Sequence, residues 1–78
     1  MVAAGVLIKT KPGTTKEVLN TIRGKKGIAY AYAVFGRYDI VATIKDAKDI
    51  DEVARIVTES IANVDGVAST ETLITANI

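Results

Sequence analysis

The run from Val34 to Val41, VFGRYDIV, sets a glycine, a guanidinium, a phenol and a carboxylate between two apolar stretches. A tight turn accounts for Gly36 and leaves Arg37, Tyr38 and Asp39 to be explained. One chemistry they suit is the capture of an amino acid. The Asp39 carboxylate would hold an ammonium group, and free backbone amides near Gly36 would accept a carboxylate, because glycine lets a ligand come close to the backbone. The plainer reading is that Asp39 caps the turn, or pairs with Arg37 or with a lysine of a second subunit, as polar residues commonly do beside turns. Gly-x-Tyr-Asp is too short to choose, and on the residues alone both readings stand.

The rest of the composition excludes more than it offers. The 78-residue chain contains no histidine and no cysteine. That removes the usual general base near neutral pH, the commonest metal ligand, any disulfide and any thiolate site. An enzyme built on this sequence would draw its chemistry from Tyr30, Tyr32 and Asp39, so no catalytic residue is assigned and no cofactor or metal is expected. The acids Asp46, Asp49, Asp51 and Glu52 suit a helix start, where they cap amides and complement the dipole, better than a divalent metal. The stretch from Arg23 to Gly27, RGKKG, lacks phosphate-loop spacing and reads as a solvated loop. Tyr30 and Tyr32 stand without the basic residues of an RNA-stacking strand. Ten basic against nine acidic residues give a net charge of +1, too little for a chain that grips phosphates unaided. No apolar stretch reaches the roughly 18 to 20 residues of a bilayer span. The first residues lack a basic leader, so a cytoplasmic location without membrane contact is expected.

The elements that must position the hairpin follow from periodicity. Val2 to Thr10 is rich in branched residues and stopped by Lys-Pro-Gly, which predicts a strand and a turn. Thr14 with Glu17 three residues on forms a capping-box pattern, Val18, Leu19 and Ile22 recur at helical spacing, and Gly24 closes this first helix. GIAYAYAVFG and YDIVATIK read as two strands joined by a two-residue Gly-Arg turn of type II′. Asp49 with Glu52 caps a second helix whose apolar stripe is Ile50, Val53, Ala54, Val57, Ile61 and Val64, and Asp65-Gly66 breaks it. VASTETLITANI, from Val67 to Ile78, alternates as a final strand. The order is βαββαβ within one domain over residues 1–78, with no linker. Right-handed crossovers place both helices on one face of an antiparallel sheet.

The hairpin register divides the two faces. With Gly36 and Arg37 as turn residues, Phe35 faces Tyr38, Ala33 faces Ile40 and Ala31 faces Ala42, a small apolar face suited to helices. The other face carries Ile28, Tyr30, Tyr32 and Val34 beside Asp39, Val41, Thr43 and Lys45. Exposed apolar patches beyond a few hundred Å² are uncommon on monomers, and a chain of this length hides only about 60% of its unfolded surface. Two sheets packing face to face as a twofold homodimer are therefore expected, with Asp39 at the hairpin end of the shared face.

Taken together, the whole chain resembles the ligand-binding (RAM) domain of the Lrp/AsnC, or feast/famine, family of transcriptional regulators. The likeness rests on the βαββαβ order at this length, on VFGRYDIVATI as an apolar-Gly-x-Tyr-Asp-apolar hairpin, and on GVASTETLI as a Gly-Val…Thr…Thr closing strand. The resemblance implies an α+β, ferredoxin-like fold, a dimeric α/β barrel, and homodimers assembling into a higher oligomer. It also implies an amino-acid effector bound at inter-subunit clefts. Gly36, Arg37, Tyr38 and Asp39 would form one wall, and Ser69, Thr70 and Thr72 would offer hydroxyls from the other. Full-length members carry a helix-turn-helix domain ahead of this module. Its absence from the sequence implies a stand-alone form without direct nucleic-acid contact, acting on its own assembly or on a full-length Lrp/AsnC regulator. A small dimeric enzyme and a purely structural oligomer are the alternative readings.

Overall fold

A computed structural model describes residues 1–76 of the chain. Branched residues at alternate positions make β1 (Val2–Thr10) a strand with unequal faces: Ala4, Val6 and Ile8 are buried, and Ala3, Gly5 and Leu7 between them are half covered. The order continues with α1 (Thr15–Arg23), β2 (Tyr30–Ala33), β3 (Ile40–Ala47), α2 (Ile50–Ile56) with a π-helical continuation (Val57–Ala62), and β4 (Val67–Ile74). This is the expected βαββαβ order. The strands form one antiparallel sheet in the order β2-β3-β1-β4, the ferredoxin-like α+β arrangement. The sequence pattern carries the last strand to Ile78, but β4 ends at Ile74, and residues 77 and 78 lie outside the described residues.

One sheet face is held by the helices. Val18, Ile22, Val53 and Ile61 close over Val6, Ile8, Ile40 and Ile44, each 1% exposed or less. Each such side chain stabilises by about 1.5–3 kcal/mol on burial, so this side fixes the fold. The other face stays open, with Tyr30 61%, Tyr32 48% and Leu73 51% exposed. The Lys45 ammonium lies 4.7 Å from the centre of the Tyr30 ring on it. Ile28 departs from the expected face: it precedes β2, in the turn that leaves α1, and packs against the core.

The helix ends differ from one another. Asp49 caps α2 as its sequence predicts, its Oδ1 accepting from the Glu52 amide at 2.8 Å, while Glu52 Oε1 accepts from the Lys48 amide at 2.7 Å. Thr14 makes no such bond. Its Oγ1 lies 2.8 Å from the Lys11 carbonyl and 3.3 Å from that of Gly66, so it secures the loop before α1 to the entrance of β4. Gly66 has φ +101, and a Cβ there would sit 2.7 Å from Val18 Cγ2, so both conformation and space demand glycine. The expected apolar stripe of the second helix is only partly buried. Val53 and Ile61 are inside, but Ile50, in the first turn, is 61% exposed; further along, the π-helical stretch widens the spacing and turns Ser60 and Ile61 inward together.

β2 is an edge strand. Val34 N–H bonds the Asp39 carbonyl at 2.9 Å, so alternation along the ladder directs the backbone groups of Ala31 outward. Arg23 Nε, from the last turn of α1, donates to that Ala31 carbonyl at 3.0 Å.

Candidate ligand site

The hairpin holds the expected register, with Ala31 opposite Ala42 and Ala33 opposite Ile40, but it is not a two-residue turn. The last rung is the Val34–Asp39 bond, and Phe35, Gly36, Arg37 and Tyr38 form a wider loop with Gly36 at φ +137. Among the described residues the amides of these four have no acceptor. Phe35 is fully exposed rather than facing Tyr38.

Asp39 ends the β1–β3 ladder. Its own amide donates to the Ile8 carbonyl at 2.9 Å, and its carboxylate then takes the next donor of β1, the Thr10 amide, at 2.9 Å on Oδ2. The Thr10 hydroxyl adds a bond at 3.1 Å to the same oxygen, and the Lys9 ammonium lies 3.7 Å away. This explains an acid at the hairpin mouth: the chain leaves the sheet, and a side-chain oxygen replaces the carbonyl that no longer follows. The Thr10 amide, the Thr10 hydroxyl and Lys9 hold the Asp39 carboxyl below its ordinary value of 3.8, against the opposing effect of partial burial. The ion pair is with a lysine of the same chain, not with Arg37. Oδ1 has no partner among the described residues.

The phenol of Tyr38 donates to Glu71 Oε1 at 2.6 Å. That bond raises the Tyr38 pKa above its ordinary 10.0, with desolvation and the charge of Glu71 acting in the same direction. Glu71 pairs with Leu7, so the tyrosine reaches across β1 to β4 on the open face. Ser69, opposite Lys9, lies on the same side.

Thr70 and Thr72 are placed elsewhere. They pair with Ile8 and Val6, whose side chains are buried under the helices. Thr72 lines an apolar groove of about 340 Å³ with Val53, Val57 and Ile74. The structure thus brings Tyr38, Asp39 and Ser69 to one end of the open face, puts Gly36 and Arg37 in the adjoining loop, and adds Glu71, which the sequence motif did not single out. Strand alternation carries the signal for it: in Ser-Thr-Glu-Thr, position 71 shares a face with 69, not with 70 or 72.

Among the described residues no group of three or more acids, histidines or cysteines is placed to hold a metal. A mixed-charge cleft of about 320 Å³ lies between the end of β3 and α2. There Arg55 pairs with Glu52 at 3.3 Å, and Glu52 also receives the Lys48 amide.

Residues 3–77 match the Lrp/AsnC ligand binding domain. The chain belongs to that family. This Lrp/AsnC domain is 33% identical to TTHA0845 from Thermus thermophilus, covering 100% of this chain and 96% of that one with a TM-score of 0.90. It also shares its fold with E. coli AsnC, at 24% identity and TM-score 0.88, covering 99% of this chain and 52% of AsnC. A transcriptional regulator from Neisseria meningitidis, NMB0573, solved as an L-Met complex, has the same fold at 13% identity and TM-score 0.82, covering 97% of this chain and 50% of that one. No curated protein matches. The family comprises ligand-binding domains of regulators and not enzymes. No helix among the described residues is long and apolar enough to cross a membrane.

Proposed function

We propose that this Lrp/AsnC domain is a regulatory module that binds a free amino acid beside the 34–39 hairpin and answers by changing its own assembly or that of a full-length Lrp/AsnC regulator. The observation that carries this reading is Asp39, whose carboxylate has one oxygen fixed by Thr10 and the other open, next to four loop amides without acceptors. An open carboxylate oxygen suits an ammonium group, and unbonded amides suit a carboxylate, so the hairpin offers complementary partners to the two ends of an amino acid. Arg37 adds positive charge to the loop, and Tyr38, Ser69 and Glu71 line the strand side. In this reading Thr70 and Thr72 act from the helix side, Thr72 as part of the wall of a neighbouring groove. The L-Met bound by the N. meningitidis regulator belongs to the same chemical class.

The open face supports the second half of the proposal. Tyr30, Tyr32, Leu73, Val41 and Leu7 form cross-strand rows with too much apolar surface for a monomer, so two copies pack these faces together and the hairpin lies at the rim of the pair. Dimers associate further, and the module works in the cytoplasm.

Thermal-shift and calorimetric measurements against each of the twenty proteinogenic amino acids test the reading. A ligand selective for the native state raises stability by RT ln(1 + [L]/Kd), about 2.7 kcal/mol at a hundredfold excess over Kd. Selective stabilisation is expected, and Asp39→Ala should abolish it while leaving the dimer mass unchanged. No response to any amino acid from an intact oligomer identifies a structural module instead. Loss of the dimer in Asp39→Ala makes the acid an interface residue.

A further inference from the structure

Thr10 and Ser60 are the buried polar side chains among the described residues, 6% and 8% exposed. The Ser60 hydroxyl is committed to the Lys26 carbonyl at 3.0 Å. Thr10 works in two directions: its Oγ1 lies 3.1 Å from Asp39 Oδ2 and 2.7 Å from Thr15 Oγ1. The chemistry fixes the direction of the chain. An ionised carboxylate only accepts, so Thr10 must donate its single hydroxyl proton to Asp39, and its oxygen then accepts the proton of Thr15. The relay runs from Thr15, in the first turn of α1, through Thr10 at the end of β1, to Asp39 at the start of β3. Oδ2 therefore collects the Thr10 amide, the Thr10 hydroxyl and the Lys9 ammonium, while Oδ1 collects nothing among the described residues.

We propose that Thr10 and Thr15 are positioning residues of the ligand site: they pin Asp39 Oδ2 inward and leave Oδ1 outward as the acceptor for the primary ammonium of the effector. The inference rests on the amino-acid reading given above. An Asp39 side chain free to rotate would lose entropy on meeting a ligand, and the relay removes that cost before the ligand arrives. It also ties the N-terminal turn of α1 to the occupancy of the hairpin.

The test uses the full chain with Thr10→Val, Thr10→Ser and Thr15→Val. Carbon-detected NMR follows the Asp39 carboxyl through its pH titration, where Lys9 is the charged group facing it. The twenty amino acids serve as binding probes, with methylammonium as an ammonium-only control. In Thr10→Val the Asp39 midpoint should rise and the affinity for whichever amino acid stabilises the parent chain should fall roughly fivefold, the value of one hydrogen bond. Thr10→Ser should restore both, and Thr15→Val should move both in the same direction by less. Thr15→Val leaves the Thr10 amide and hydroxyl in place, so it decides the matter even if Thr10→Val fails to fold. An unchanged midpoint and affinity in folded Thr15→Val, or in folded Thr10→Val, overturn the proposal. If the parent chain binds none of the amino acids, the ligand reading itself fails; that outcome is recognisable because the Asp39 titration still shifts in Thr10→Val.

Discussion

The Tyr38 phenol and the Glu71 carboxylate, 2.6 Å apart, join the hairpin loop to β4 over the top of β1. Removing the tyrosine proton would break this hydrogen bond and set a phenolate against a carboxylate, so this tyrosine ionises above 10.0. A raised acid pKa in the folded state contributes stability that is present below the unfolded value and is lost as pH rises through the folded one. Ultraviolet absorbance should show the Tyr38 phenol titrating late, above 10.0. Tyr38→Phe should delete that late phase, and Glu71→Gln should move it toward 10.0.

Asp39 has the opposite sign. Its folded pKa lies below 3.8, so the stabilisation it brings is complete above that value and disappears as pH falls through the folded pKa. Asp39→Asn should therefore be less stable than the parent at neutral pH, with the difference closing below pH 3.8. Urea titrations at a series of pH values check it. A difference independent of pH would mean that shape rather than charge matters at this position.

The open sheet face should respond to charge. Tyr32 and Leu73 are 48% and 51% exposed on separate cross-strand rows, and burying a carboxylate against an apolar partner is costly. Tyr32→Glu and Leu73→Glu should each lower the sedimentation mass toward that of one chain while keeping the circular dichroism spectrum. Retention of the parent assembly in both variants would show that the subunits meet elsewhere.

The two helix starts give a paired comparison. Asp49→Ala removes the acceptor of the Glu52 amide and should cost about 1 kcal/mol in denaturant titration. Thr14→Ala removes no cap. Its effect should be confined to the loop from Lys11 to Thr14 and the Gly66 turn, visible as faster amide exchange at Lys11, whose N–H bonds the Gly66 carbonyl at 2.8 Å.

These contrasts mark what was legible in the sequence. Element order, sheet face and the hairpin register follow from local periodicity: the Ala31–Ala42 and Ala33–Ile40 pairs are fixed by a period of two and a turn at the right place. Thr14 and Asp49 open equally good capping patterns, and only tertiary contact separates them, since Gly66 lies 52 residues from Thr14. The partners of Asp39 were hidden for the same reason, because Thr10 is 29 residues away and nothing near Asp39 announces it. The π-helical stretch was invisible because a stripe of apolar residues at 3.6 spacing tolerates one widened turn. The family motif takes Ser69, Thr70 and Thr72 as one block, while the pleat sets Ser69 on the open face and Thr70 and Thr72 on the helix side.

The Arg23 guanidinium on the Ala31 carbonyl has a bearing on how this small chain survives at high concentration. Tyr-Ala-Tyr-Ala is short, uncharged and β-prone, the kind of segment that recruits further copies rung by rung into cross-β stacks when its outer backbone is bare. A cation from the preceding helix shields that side and makes the edge a poor template. The same strand can then present its tyrosines broadside to a partner without seeding a fibril.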